Sequence, residues 1–208
     1  MRRAVQHEIL NLIETRFSAN LFDPSQDISD QEVETMVGYA IRAPTAYNLQ
    51  NWRFVAVQSP AAKARLRAVA HDQPKVTEAA VAFIIVGVVP DPDVVVTRLV
   101  PTVDAGIMSR DMAKRWRDGA RALYADPAIA RDEAVRSATF GAATLMFAAS
   151  ALGFASGPMV GFDPEGVRRD FGLADDELPV MLLAVGRAAP GNWPQKPRRP
   201  LGDVLELV

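Results

Sequence analysis

A polar loop joins a predicted helix to a predicted strand in the stretch 42-RAPTAYNLQNWRF-54. Pro44 disfavours helical backbone at the residue before it, so the preceding helix is expected to end there. The alternation of residues 53–57 then predicts a short strand. Between them stand hydroxyl and amide side chains that can read the edge of a heterocycle, namely Thr45, Asn48 and Gln50.

Two helices are predicted before this loop. Residues 5–15 place their apolar side chains on one helix face. A polar loop over residues 18–27 follows, and Ser29 with Glu32 then forms a capping box that opens a helix running through Ala40.

Further helices and strands are predicted after it. Helices are expected at 61–70, about 104–124, 131–152 and from Asp163 onward, where Pro164 takes the first helical position. Strands are expected at 80–89, near Phe154 and at 179–186. Prolines 90, 92 and 101 predict an intervening loop. The tail from Pro190 holds four prolines and is expected to be an extended arm.

The predicted helix over 131–152 is unusually rich in small residues. These are Ala138, Gly141, Ala142, Ala143, Ala148 and Ala149. Because small side chains allow helix backbones to approach closely, this helix is expected at the centre of the structure or in a subunit interface. In the second case Gly141 would contact a second copy of the chain.

The composition is that of an ordinary globular protein. With 208 residues, 49% of them hydrophobic, the sequence predicts a single domain over 1–208. The net charge of −2 gives no pull toward nucleic acid or an anionic membrane. The longest apolar run, residues 79–89, is far shorter than the roughly 20 residues of a membrane span. The N-terminus lacks the apolar core of a signal peptide, so a cytoplasmic protein is expected.

The side chains offer little reactive chemistry of their own. Cysteine is absent and the only histidines are His7 and His71, so neither a metal site nor a thiol nucleophile is expected. The sequence has no Gly-x-Ser-x-Gly turn, no Gly-x-Gly-x-x-Gly motif and no Walker loop. If the protein is an enzyme, a cofactor should carry its chemistry.

Three further segments have unusual compositions. Residues 16–22 place Arg16, Ser18 and Asn20 directly after a helix, a set suited to gripping a phosphate. Residues 157–163 form a predicted loop whose glycines let backbone amides approach a ligand. Residues 196–200 hold cations between prolines. Each segment alone also fits a solvated loop, a packed turn or a surface arm.

Taken together and in this order, the segments resemble the nitroreductase family. Residues 16–22 are similar to its Arg-x-Ser-x-Arg/Lys-x-Phe motif, and residues 43–54 to its Ala-Pro-Ser-x-x-Asn-x-Gln-Pro-Trp-x-Phe signature. Residues 157–162 resemble its flavin loop, and Lys196 with Arg198 resembles its C-terminal phosphate clamp. The resemblance runs from Arg16 to Arg199, and the second motif is the most specific.

This resemblance implies an α+β fold with a central mixed or antiparallel sheet flanked by helices. It also implies a homodimer whose active sites lie at the subunit interface and bind FMN. Arg16, Ser18, Lys196 and Arg198 would then contact the phosphate and ribityl end. The ring would meet Pro158 and the backbone amides of Val160 and Gly161 on its N5 side.

Further residues are implied to bind the cofactor, and among them Thr45, Ala46 and Asn48 would line the flavin. They comprise Phe17, Asn20, Pro44, Thr45, Ala46, Asn48 and Met159, with Gln73 and Lys75 as candidates for the pyrimidine edge. The chain departs from the family pattern at three positions. Asn20 replaces the second basic residue, Asn51 replaces a proline, and Val160 stands where some members have glutamate.

The function implied by the resemblance is hydride transfer from NADH or NADPH, through flavin N5, to a small electrophile such as a nitroaromatic or a quinone. Donor and acceptor would use the same face of the ring in turn, which gives ping-pong kinetics. Two alternatives stay open. One is a reductase of a small semialdehyde of the malonic semialdehyde type, and the other is an FMN-binding or storage protein with slow turnover.

Overall fold

The computed structural model describes residues 7–208, and within them a four-stranded sheet lies between two layers of helices. The strands are β1 (Trp52–Val57), β2 (Val81–Val88), β3 (Ala155–Met159) and β4 (Glu177–Gly186). Their order is β1-β2-β4-β3, and every neighbouring pair is antiparallel. The predicted α+β class is thereby confirmed, with an antiparallel sheet.

Eight α-helices surround the sheet in the described part of the chain. They are α1 (Glu8–Thr15), α2 (Asp30–Ala40), α3 (Pro60–Ala68), α4 (Lys75–Glu78), α5 (Val95–Asp104), α6 (Arg110–Leu123), α7 (Pro127–Ala151) and α8 (Pro164–Phe171). Short 3₁₀ turns occur at 46–48, 92–94 and 201–203. None of the helices that can be described is long and apolar enough to cross a membrane.

Strand β2 shows how the sheet is buried on both faces. Alternate residues point to opposite sides of a strand, so Val81, Phe83 and Ile85 pack against α2 and α7. The residues between them, Ala82, Ile84 and Val86, pack against α3, α4 and α8. Burying each of these larger apolar side chains stabilises the fold by roughly 1.5–3 kcal/mol. A separate cluster joins α5 and α6 to the loop after α2.

The small-residue helix lies at the centre of the molecule. A Cβ added at Gly141 would come within 2.8 Å of Phe54 Cζ, and one added at Gly87 within 2.4 Å of the Ala134 carbonyl oxygen. The helix backbone therefore lies directly on the chain's own sheet. The expectation that Gly141 contacts a second copy is wrong, because its neighbours are Trp52 and Phe54 of the same chain.

The capping residues in the sequence correctly predicted where two of the helices begin. Ser29 and Glu32 form the predicted capping box of α2, and Asp163 with Pro164 opens α8 as expected. Helix α1 is described from Glu8, so positions 5 and 6 of its predicted range lie outside the described residues. Helix α7 begins at Pro127, ahead of the predicted start, because Asp126 caps it.

The structure corrects the predicted bounds of three elements. Pro101 lies inside α5 rather than in a loop, since Val95 and Leu99 are buried against α6 and packing outweighs the lost backbone hydrogen bond. The predicted helix over 104–124 is instead α6, which begins at Arg110. Pro179 lies within β4 at a register shift, where its missing N–H is tolerated.

A fourth correction concerns the predicted loop over 157–163. Gly157, Pro158 and Met159 belong to β3 and pair with Ala184, Leu183 and Leu182 of β4. Only the residues from Val160 onward leave the sheet. This edge strand carries the predicted flavin segment.

Candidate cofactor site

The N-terminal motif lies along the free edge of β3. Ser18 forms a parallel bridge with Ser156, and the Ala19 N–H donates to the Ser156 carbonyl at 2.9 Å. The approach requires a glycine, because a Cβ at Gly157 would lie 2.1 Å from the Ala19 carbonyl oxygen. Arg16 and Ser18 are thus held beside the strand that carries Pro158.

The C-terminal tail is pinned onto the same segment by two amide side chains. Asn192 Oδ1 accepts from the Asn20 and Leu21 N–H groups at 2.8 and 3.1 Å, while its Nδ2 donates to the Leu21 carbonyl at 2.7 Å. Gln195 Nε2 donates to the Arg16 carbonyl at 2.9 Å. The tail forms neither helix nor strand over residues 192–200, and these contacts fix its path over the N-terminal segment.

A small cavity of about 70 Å³ forms where the two ends meet. Its lining includes Phe17, Ser18, Lys196 and Arg198. Arg16 lies close enough to feel the charge of Arg198, because burial first, and then that charge, lowers the pKa of the Arg16 guanidinium. Cations and a hydroxyl placed together in this way match the donor set that binds a phosphate.

The segment before α4 links two other parts of the site. Gln73 Nε2 donates to the Gly161 carbonyl at 2.7 Å and to the Ala70 carbonyl at 3.2 Å. Lys75 Nζ donates to Asn20 Oδ1 at 3.2 Å. Residues 73–75 therefore connect the loop after β3 with the N-terminal motif.

The loop after β3 has an exposed backbone. The Val160 side chain is 75% exposed. A Cβ at Gly161 would meet only ordinary contacts, at 3.6 Å from Gln73 Nε2 and 3.7 Å from His71 Cδ2. The chain itself does not require a glycine there, so an uncovered backbone at this position fits the approach of a ligand.

The motif over 43–54 lies at the opposite edge of the sheet. It leads into β1, and two strands separate β1 from β3, a lateral distance of roughly 14 Å at the usual strand spacing. Pro44, Thr45, Ala46 and Asn48 are therefore not brought to the predicted site residues of the same chain. All the other predicted site residues gather at the β3 edge.

The 43–54 loop is held in a constrained shape. Tyr47, Asn48 and Gln50 have φ angles of 54°, 53° and 49°, which non-glycine residues seldom adopt and which occur most often at functional positions. Thr45 Oγ1 accepts from the Gln50 N–H at 3.0 Å. The Tyr47 ring meets the edges of Trp116 and Tyr124, at centroid distances of 6.0 and 6.1 Å.

Sequence reasoning missed two kinds of site-forming residue. Asn192 and Gln195 hold the tail in place. In the sequence, the only pattern that could have identified them is that both amide side chains lie between prolines. Asn51, which replaces the family's proline, is buried and donates from Nδ2 to the Val88 carbonyl at 2.8 Å. That substitution ties the loop to the end of β2.

One surface away from the β3 edge is strongly apolar. A groove of about 430 Å³ lies between α1, α2 and α7, and we call it the apolar groove. Its large side chains include Ile9, Tyr39, Phe147 and Leu152, all of them partly or largely exposed. An exposed apolar surface of this kind is typical of a protein–protein interface.

Comparison with known proteins agrees with this arrangement. The model of the Nitroreductase family matches residues 13–187. YodC of Bacillus subtilis, named as a NAD(P)H nitroreductase, is 29% identical over 94% of this chain and 96% of its own length. A Thermus thermophilus protein named NADH dehydrogenase is 33% identical over 80% of each chain.

The solved structures give the same fold. A nitroreductase from Exiguobacterium sibiricum, crystallised in complex with FMN, aligns with a TM-score of 0.88 at 24% identity over 99% of both chains. The family model spans both the N-terminal motif and the β3 loop that the fold brings together. By sequence and by fold, the chain belongs to the nitroreductase family.

Proposed function

We propose that this protein is an FMN-dependent oxidoreductase that takes hydride from NADH or NADPH and passes it, through flavin N5, to a small electrophile. The observation that carries the proposal is the small cavity that Ser18, Lys196 and Arg198 line together, with Arg16 close enough for the charge of Arg198 to act on it. Burial and the neighbouring cation both lower the pKa of Arg16, and a bound phosphate dianion would favour both charges. The named NAD(P)H and NADH activities of the relatives support the choice of donor.

The residues at the β3 edge fit FMN along its length. Arg16, Ser18, Lys196 and Arg198 would bind the phosphate, with Phe17 lining that end. Pro158 and Met159 would lie beside the ring, and the N–H groups of Val160 and Gly161 would face N5. FMN supplies the hydride chemistry when bound. The chain's part is to bind and orient it and to place N–H donors and cations where negative charge develops.

A homodimer completes this site. Pro44, Thr45, Ala46 and Asn48 lie at the far edge of their own sheet, so they would reach the ring bound to a second copy. The apolar groove between α1, α2 and α7 would be covered in that dimer. Each 1–208 chain would then be one FMN-binding domain contributing to two sites.

The acceptor binds in turn with the nicotinamide, giving ping-pong kinetics. Nitroaromatics and quinones are the acceptor classes we favour. A small semialdehyde is the alternative substrate, and a slow-turnover FMN-binding protein is the alternative function.

The absorption spectrum of the purified protein tests the central claim. We expect a yellow protein that releases FMN on denaturation. A colourless protein whose melting temperature FMN does not raise would overturn the proposal, and release of FAD would contradict the choice of cofactor. Anaerobic mixing with NADH or NADPH then separates the two functions, because fast bleaching requires an enzyme and slow bleaching indicates storage.

A further inference from the structure

Asn20 occupies the position where the family pattern has a second basic residue, and its side chain is already engaged. Its Oδ1 accepts a hydrogen bond from Lys75 Nζ at 3.2 Å. The backbone N–H of Asn20 donates to Asn192 Oδ1 at 2.8 Å. Asn20 thus sits between the tail on one side and a lysine ammonium on the other.

Lys75 is suited to a role in binding. Its side chain is partly buried, and burial lowers the pKa of its ammonium. An ammonium has three N–H donors, and within residues 7–208 the hydrogen bond found for it is the one to Asn20. Two donors therefore remain for another acceptor.

The position of Lys75 along the site can be estimated from the chain. Asn20 lies four residues from Arg16, at most about 13 Å of extended chain. Lys75 also follows Gln73, which holds the Gly161 carbonyl. The ammonium consequently lies on a segment that contacts both the N-terminal motif and the loop after β3, which would face the ring.

We propose that Asn20 is a positioning residue that aims the Lys75 ammonium at the flavin ring, with Asn192 of the tail holding Asn20 in place. This inference rests on the proposed function. A neutral amide suits the task, because an aspartate would neutralise the ammonium and a basic residue would repel it. The chain thereby places one oriented cation at the ring, where the family pattern would place a basic side chain at position 20 as well.

A double-variant cycle on the reduction potential of bound FMN tests this. A cation near the ring binds the reduced, more negative flavin better than the oxidised form. We expect Lys75→Met to weaken that preference roughly tenfold. For a two-electron couple, this lowers the reduction potential by about 30 mV. Asn20→Ala should lower the potential in the same direction by a smaller amount, and Asn20→Asp should lower it at least as far as Asn20→Ala does.

The decisive comparison is Asn20→Ala in the Lys75→Met background. If Asn20 acts through Lys75, the second substitution changes the potential by less than a third as much as it does alone. Equal effects in both backgrounds would overturn the proposal, as would an unchanged potential in Asn20→Ala alone. Gln26→Ala, which removes an exposed amide outside the site, is the matched control.

FMN titration of the apoproteins provides a second readout, because it shows whether each variant still folds and binds FMN. Asn20→Ser keeps a small neutral polar side chain, so it serves if Asn20→Ala is too unstable to purify; the potential of its bound FMN must then fall at least three times as far with Lys75 present as in the Lys75→Met background. If the unaltered protein does not bind FMN at all, the proposed function fails. If it binds FMN and the cycle is additive, only the positioning role of Asn20 fails.

Discussion

The paired guanidiniums of Arg16 and Arg198 make the sharpest prediction at the residue scale. Each charge-assisted bond to a phosphate contributes roughly 1.5–3 kcal/mol, so Arg16→Ala or Arg198→Ala should weaken FMN binding about tenfold to a hundredfold. Arg198→Ala saturated with FMN should keep most of its turnover, because the ring contacts are unchanged. Titration of each apoprotein measures this, with the exposed Arg131→Ala as control. An FMN affinity that is unchanged in both variants would show that these arginines do not bind the phosphate.

Two glycines at the β3 edge should respond in opposite ways. A Cβ at Gly157 meets the Ala19 carbonyl at 2.1 Å, so Gly157→Ala should lower the free energy of unfolding by roughly 1–3 kcal/mol. Gly161→Ala meets only ordinary contacts and should change stability by less than about 0.5 kcal/mol. It should nevertheless weaken FMN binding, since the methyl group stands where the ligand approaches. Urea unfolding and FMN titration of both variants separate these roles, and a destabilised Gly161→Ala would contradict the assignment.

Tyr124 gives the fold a pH dependence in the alkaline range. Burial, with added repulsion from the charges of Glu133 and Tyr47, raises the pKa of Tyr124 to about 12. In the unfolded chain a tyrosine ionises near pH 10. Between about pH 10 and 12 the unfolded state therefore binds fewer protons than the folded state, and stability falls as pH rises.

Tyr124→Phe should remove this part of the alkaline loss. It should cost little at neutral pH, because the buried hydroxyl has no hydrogen-bond partner among the described residues. Urea unfolding at neutral pH and at about pH 11 measures the difference. The exposed Tyr39→Phe is the control, and an equal alkaline loss in Tyr124→Phe and the unaltered protein would refute the account.

At the scale of elements, the sequence predicted those features of the helices that depend on residues close together in the chain. The capping residues of α2 and α8 act over three or four positions, so their starts were readable. A strand was predicted near Phe154, but the extent of β3 through Met159 was not, because a five-residue strand containing a glycine and a proline has no alternation to recognise. The α5 helix was missed because burial of Val95 and Leu99 overrides the preference of Pro101.

The same limit applies to the site. The motif residues were identified by their types and order, which are local properties. Their separation into two groups depends on the strand order β1-β2-β4-β3, which no local pattern shows. The tail contacts of Asn192 join residues about 172 positions apart, beyond any sequence window.

Helices α5 and α6 should decide which acceptor is reduced. They enclose a groove of about 410 Å³ with a mostly apolar lining and three charged residues, Asp104, Arg110 and Lys114. Trp116 and Tyr124, whose aromatic rings could also have formed a lid, pack on Tyr47 instead. Exchanging residues 95–123 for the segment of another family member should change kcat/KM across an acceptor panel while FMN affinity stays constant. An unchanged acceptor profile would refute the assignment.

For the whole molecule, the dimer prediction follows from the apolar groove. Phe147, on α7, is 38% exposed and lines that groove. Phe147→Glu would place a carboxylate in a buried interface, which is costly without a partner. We expect a folded monomer that binds FMN poorly, as measured by sedimentation and titration. Ile129→Glu, on the same helix and also 38% exposed, should stay dimeric, and a dimeric Phe147→Glu protein would contradict this interface.

The joining of the two chain ends also has a consequence for how each molecule is made. Asn20 leaves the ribosome early, whereas its partner Asn192 follows 172 residues later, about 10–35 s at ordinary rates of synthesis. Lys196 and Arg198 follow a few residues later. The cavity that they line with Ser18 therefore cannot close before residue 198 has been made, so a growing chain that has reached only residue 190 lacks both tail cations proposed to bind the phosphate.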